Sequence, residues 1–166
     1  MVFIARVPVI QNSFLRHNSV NNTTAEAGQV VYLSGDQQVS VVSGTGNTPY
    51  GFLLQKIKAE ISGMPAGYRT AADHGSSDAF TGDPVGVAHL GIYDTTQYVL
   101  DAGETTFTAG ELLYADAASN KGKVVNGASG DVAQEGGSDK VVAIVQNSLS
   151  ASAITAGAAL RIKLLI

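Results

Sequence analysis

Cysteine and tryptophan are absent from this 166-residue chain, and charged residues make up only 14% of it. Without cysteine there are no disulfides and no thiolate metal sites. Without tryptophan the commonest platform for stacking a sugar ring is missing. Ten basic residues, scattered and outnumbered by acidic ones to a net charge of −4, exclude the clustered lysine and arginine of a nucleic-acid footprint. No apolar run approaches the roughly 18 residues of a membrane-spanning helix. The N-terminus, Met1-Val2-Phe3-Ile4-Ala5-Arg6, has no basic region ahead of a long apolar core, so no signal peptide is expected. These absences predict a soluble chain, made in the cytoplasm, with no affinity for nucleic acid or membrane.

What is present is glycine, 19 residues of it, and 45% hydrophobic residues. This composition suits a β-protein with many turns, and 166 residues suffice for one domain with a real core. Low charge also suits a surface partly covered by neighbours.

One stretch occurs twice. Ala27-Gly28-Gln29-Val30-Val31-Tyr32 and Ala109-Gly110-Glu111-Leu112-Leu113-Tyr114 both place a small residue and a glycine in a turn, then a polar residue, then two aliphatics and a tyrosine. A turn glycine followed by such a run is a strand-entry signal. A shorter version, Ala156-Gly157-Ala158-Ala159-Leu160, precedes the last strand. The repetition extends further. Each copy continues with a hairpin (through Ser34-Gly35-Asp36, or Ser119-Asn120-Lys121-Gly122), a valine-rich strand and a glycine-rich loop. An apolar strand then follows, Tyr50 to Leu54 or Val141 to Val145. The order predicts a duplicated β-unit.

The rest divides around it. Residues 1–24 read as an N-terminal arm, polar after Ile10, and 25–166 as a single β domain. Residues 62–84 form a long loop excursion within that domain, and loops of that length usually contact something outside the fold. Met64, Tyr68 and Phe80 are its sizeable apolar anchors. Val85 to Ile92 reads as one alternating strand and Gln97 to Leu100 as the next. The expected fold is mainly β, a sandwich or small barrel of about eight to ten strands.

No catalytic constellation emerges. His74 beside Asp73, with Asp78 and Asp83 near, matches no zinc spacing and fits solvated turns. His89 lies in a strand, and His17 lies in the arm without a sequence partner. The glycine-rich loops lack the following helix and lysine of a phosphate cradle. Asp101 and Glu104 fall on a turn. No cofactor and no metal site are expected, and the chain is not expected to be an enzyme.

The recurrent elements resemble those of bacteriophage capsid decoration, or cement, proteins. The similarity rests on Ala27-Gly28-Gln29-Val30-Val31, Pro49-Tyr50-Gly51-Phe52-Leu53, Ala109-Gly110-Glu111-Leu112-Leu113 and Ile154-Thr155-Ala156-Gly157, in that order. It covers Ala25 to Leu54 and Thr105 to Ile166. The resemblance implies a virion protein, often trimeric, that binds the outside of an expanded icosahedral shell and cements neighbouring major capsid subunits. The arm and the excursion would then supply the capsid or subunit contacts: Phe3, Ile4, Val9, Phe14, Leu15, Met64, Tyr68 and Phe80. Two other classes stay open: a receptor- or glycan-binding module of a phage tail, and an enzyme using His74 with Asp73.

Overall fold

A computed structural model describes residues 3–5, 12–17, 25–58, 79–80, 84–117, 119–127, 134–135 and 138–166. The protein is mainly β, as expected. The first strands are β1 (Phe3–Ala5), β2 (Asn12–His17), β3 (Val30–Gly35), β4 (Gln38–Val41) and β5 (Pro49–Leu53). There follow β6 (Ile57–Lys58), β7 (Ala79–Phe80), β8 (Pro84–Ala88), β9 (Ile92–Thr95) and β10 (Tyr98–Val99). The remainder are β11 (Leu112–Ala115), β12 (Val124–Val125), β13 (Gln134–Glu135), β14 (Ser138–Asp139), β15 (Ala143–Val145) and β16 (Leu160–Leu164). One short helix, α1 (Ala151–Thr155), precedes β16. The strand count exceeds the expected eight to ten because several strands are two-residue pieces.

The first half closes into a barrel in the order β2-β4-β3-β5-β8. Val31, Val39, Val41, Leu53, Ile57, Val85 and Val87 fill its interior. The second half is a sheet in the order β1-β9-β16-β15-β11-β12-β10. Strands β9 and β10 stand far apart in that order yet are separated in the chain only by Thr96 and Gln97, so the sheet curls back on itself.

The two halves are copies in topology and register. In the first, Val30 faces Phe52 and Val31 faces Gly51 across β3 and β5. In the second, Leu112 faces Ile144 and Leu113 faces Ala143 across β11 and β15. Strand β4 then corresponds to β12, and β8 to β16. Strand β2 pairs antiparallel with β8 and parallel with β4. In the second half those two roles are divided: β9 pairs antiparallel with β16, and β10 parallel with β12.

The repeated turn explains why the copies keep register. Glu26-Ala27-Gly28-Gln29 and Thr108-Ala109-Gly110-Glu111 each close an N–H to C=O bond from fourth residue to first, at 3.2 and 3.1 Å. The third residue is glycine at φ +91 in both, the left-handed position that a type II turn requires. That geometry aims the glycine N–H at the neighbouring strand: Gly28 donates to Leu53 at 2.7 Å, Gly110 to Val145 at 2.9 Å. An isolated bridge before each turn, Ala25 with Ile57 and Phe107 with Leu149, completes the clamp. Gly157 is different. It ends α1, with its own N–H to Ile154 and that of Ala158 to Ala153, a Schellman stop and not a type II turn.

Two further readings change. The run Val85 to Ile92 is not one strand: β8 belongs to the first half and β9 to the second, and Gly91, at φ +128, turns the chain between them. Within the segment read as an arm, Phe3–Ala5 and Asn12–His17 are paired strands. The polar letters of β2 conceal a barrel stave.

Candidate interaction surfaces

The joint between the halves is built around Phe3. Its ring stacks on Tyr93 at 4.4 Å and lies nearly parallel to Phe52 at 5.9 Å, so an N-terminal residue bolts β5 of one half to β9 of the other. Beside it, Val30 donates its N–H to the carbonyl of Gly122 at 2.6 Å, and Gln29 Nε2 donates to Lys121 at 2.8 Å. Gly122, at φ +74, lies so close that a Cβ there would meet Val41 Cγ1 at 2.5 Å. Gly28 is placed against Thr95 and Phe3, where a Cβ would meet atoms at 2.9 and 3.0 Å. Val30, Val42, Phe52 and Ala88, whose side chains are not part of the first barrel's interior, are therefore buried in the same core as the interior of the second half. Each of these valine and phenylalanine side chains contributes on the order of 1.5–3 kcal/mol.

The residues expected to make outside contacts are dispersed. Phe3 is turned into the joint, whereas Ile4, next to it on β1, is exposed. Strand β1 pairs with β9 on one side and, among the described residues, with no strand on the other. Phe14, Leu15 and Phe80 sit on strands, paired with Gly86, Val85 and Lys58. Val9, Met64 and Tyr68 lie outside the described residues, as do His74 and Asp73. Sequence reasoning missed Leu33, Leu90, Leu112 and Leu165, which are exposed leucines on or beside strands. Only their place in the packed pair of halves distinguishes them from core.

An open cleft of about 380 Å³ lies at one end of the first barrel. Tyr32, Leu33, Asn47, Thr48, Tyr50 and Lys140 line it. Lys140 Nζ donates to the carbonyl of Pro49 at 3.2 Å, tying the segment before β15 to β5. His89 stands edge-on to Tyr50, its Nδ1 2.9 Å from the Tyr50 carbonyl, so this histidine is held as a packing residue.

Charge is used structurally. Asp94 and Arg161 face each other across β9 and β16, Nε to Oδ1 at 2.9 Å. The hydrogen bond to Asp94 and its charge raise the Arg161 pKa above its ordinary value. Burial raises the phenol pKa of Tyr93 and of Tyr98, and the Tyr98 hydroxyl donates to Ala158 at 2.6 Å. The Asp101 to Glu104 segment is a further type II turn, with Gly103 at φ +93. Among the described residues, no three histidines or carboxylates cluster as a metal site would require, and no helix is long and apolar enough to cross a membrane.

No protein-family model matches this sequence, and no curated protein sequence matches it.

Proposed function

We propose that the chain is a structural protein of a bacteriophage virion, one that binds the outside of the expanded capsid and cements neighbouring major capsid subunits. The observation that carries the reading is β1. Among the described residues it is an edge strand with Ile4 exposed, anchored by the inward stacking of Phe3, and a sheet edge of this kind can accept a strand from a partner. The ordered recurrence of the Ala-Gly turn, which resembles that of decoration proteins, supports it.

In this role the protein needs no catalysis. A partner that binds the expanded lattice and not its precursor stabilises the expanded form by mass action, and many copies on a symmetric shell add avidity. The test is co-sedimentation with unexpanded and expanded heads of the phage that encodes it. Saturable binding to expanded heads alone, with raised thermal stability of those heads, is the expected result. Binding to neither form sinks the proposal.

The cleft beside Tyr32 and Tyr50 favours a second reading, a glycan- or receptor-binding module of the virion surface. Two tyrosines and a lysine offer an aromatic wall and hydrogen-bond donors to a polar ligand. Glycan-array binding that is lost in Tyr50→Ala would select this reading over the first.

A further inference from the structure

The joint inside the chain has a missing twin. Because the halves are copies, every contact that the first makes with the second defines an equivalent pair of surfaces on the opposite sides of the molecule. One is the strand row of the second half, and the other is the hairpin end of the first.

The row runs across three strands. In the first half Val30, Phe52 and Ala88 are successive cross-strand neighbours, and all three are 0% exposed because the second half covers them. Their counterparts Leu112, Ile144 and Lys163 form the same row. There Leu112 is 43% exposed, Ile144 half-buried and Lys163 exposed.

The hairpin end shows the reverse. In the second half, Ala115 at the end of β11 is 0% exposed. The turn that follows it, through Lys121 and Gly122, receives Gln29 and Val30. Its counterpart in the first half, Leu33, is 49% exposed. The turn beyond, Gly35-Asp36-Gln37, is exposed, and the cleft opens beside Leu33.

Exposure is thus exchanged between equivalent positions, Val30 with Leu112 and Ala115 with Leu33. Both open positions carry leucine, a costly side chain to leave in water. The turn brings Asp36 and the row brings Lys163, charges of opposite sign. Glu111, next to Leu112 in the chain, is engaged by Asn126 and by the N–H of Thr108.

We propose that the occupant of each surface is a second copy of this chain. The Leu33 hairpin end of one copy docks on the Leu112 row of the next, repeating between chains the joint that exists within each. The contact is head-to-tail, so it propagates until it closes into a ring. This holds whether or not the protein binds a capsid.

Light scattering coupled to size exclusion, on the full chain, tests it. The wild type is expected to run as one closed oligomer at micromolar concentration. Leu33→Asp and Leu112→Asp are each expected to weaken self-association at least about tenfold, as loss of a central apolar contact does. Both positions are exposed in the single chain, so the variants keep the wild-type circular dichroism and melting of the monomer. The decisive sample mixes the two variants. Each retains the surface the other lacks, so together they form a one-to-one heterodimer and nothing larger. A monomeric wild type, an unchanged mass for either variant, or a mixture that stays monomeric overturns the proposal.

Discussion

Gln29 and Glu111 fold back onto equivalent backbone groups in the two halves. Gln29 Oε1 accepts from the N–H of Glu26 at 2.7 Å, and Glu111 Oε2 accepts from that of Thr108 at 2.9 Å. Their other atoms diverge. Gln29 donates to Lys121 across the joint, while Glu111 accepts from Asn126 within its own half.

That divergence predicts a loss of different origin at each position. Gln29→Glu sets a carboxylate against the Lys121 carbonyl and should cost about 1 kcal/mol, the loss of one exposed hydrogen bond. Glu111→Gln should cost about 1–2 kcal/mol, because the buried Asn126 already presents its Oδ1 to the Asp101 N–H and its Nδ2 to the Thr106 carbonyl, so it cannot turn its oxygen to the new amide. Urea unfolding of both variants measures the two costs.

The paired glycines separate strain from crowding. At Gly110 nothing stands near an added Cβ, so Gly110→Ala should cost only the left-handed backbone penalty, about 1–2 kcal/mol. At Gly28 the same methyl meets Thr95 Oγ1 at 2.9 Å and Phe3 Cδ2 at 3.0 Å. Gly28→Ala should therefore exceed Gly110→Ala by about 1–3 kcal/mol of overpacking, read as a difference in thermal midpoint.

Tyr93 buries a hydroxyl that has no hydrogen-bond partner among the described residues. Tyr93→Phe removes an unsatisfied polar group and should be neutral or stabilising by about 1 kcal/mol. Burial raises the Tyr93 pKa above 10.0 in the folded protein, so above that pH the unfolded chain loses this proton first. Its stabilising contribution is complete below 10.0 and declines as pH rises from there through the folded value. Stability measured across that alkaline range should fall less steeply in Tyr93→Phe than in the wild type.

Neighbouring residues on β1 should divide stability from binding. Phe3→Ala loses both ring contacts and should destabilise by about 1–3 kcal/mol. Ile4→Ser touches an exposed position and should leave the melting point nearly unchanged while weakening attachment to expanded heads. Equal head binding by Ile4→Ser and wild type would remove the β1 edge from the proposed function.

The duplication was legible because its signal is local. A glycine that must adopt positive φ, followed by aliphatics, reads the same in any context. Barrel closure was less legible. Asn12 to His17 holds only two large apolar residues, so β2 looks like an arm until β4 and β8 pair with it. Val85 to Ile92 misleads in the opposite direction, since alternation continues smoothly through Gly91 while the chain passes from one half to the other. The fate of Leu33 and Leu112 was beyond sequence reading, because they match the buried Ala115 and Val30 in pattern and differ only in what the other half covers. His89, read as a residue within a strand, lies one residue beyond the end of β8, packed edge-on against Tyr50.

The crossover into the last strand of each half has different lengths. In the second half, the chain passes from the Leu149 bridge to β16 through α1, which buries no residue. In the first, residues 59–78 separate β6 from β7. A stave that can be reached by either route does not depend on the route, and closure entropy grows only slowly with added length. Within that segment Ala153 and Ile154 pack on the core, and the exposed residues that follow, Thr155 to Gly157, are therefore a splice site, where a foreign epitope could be carried without disturbing the sheet.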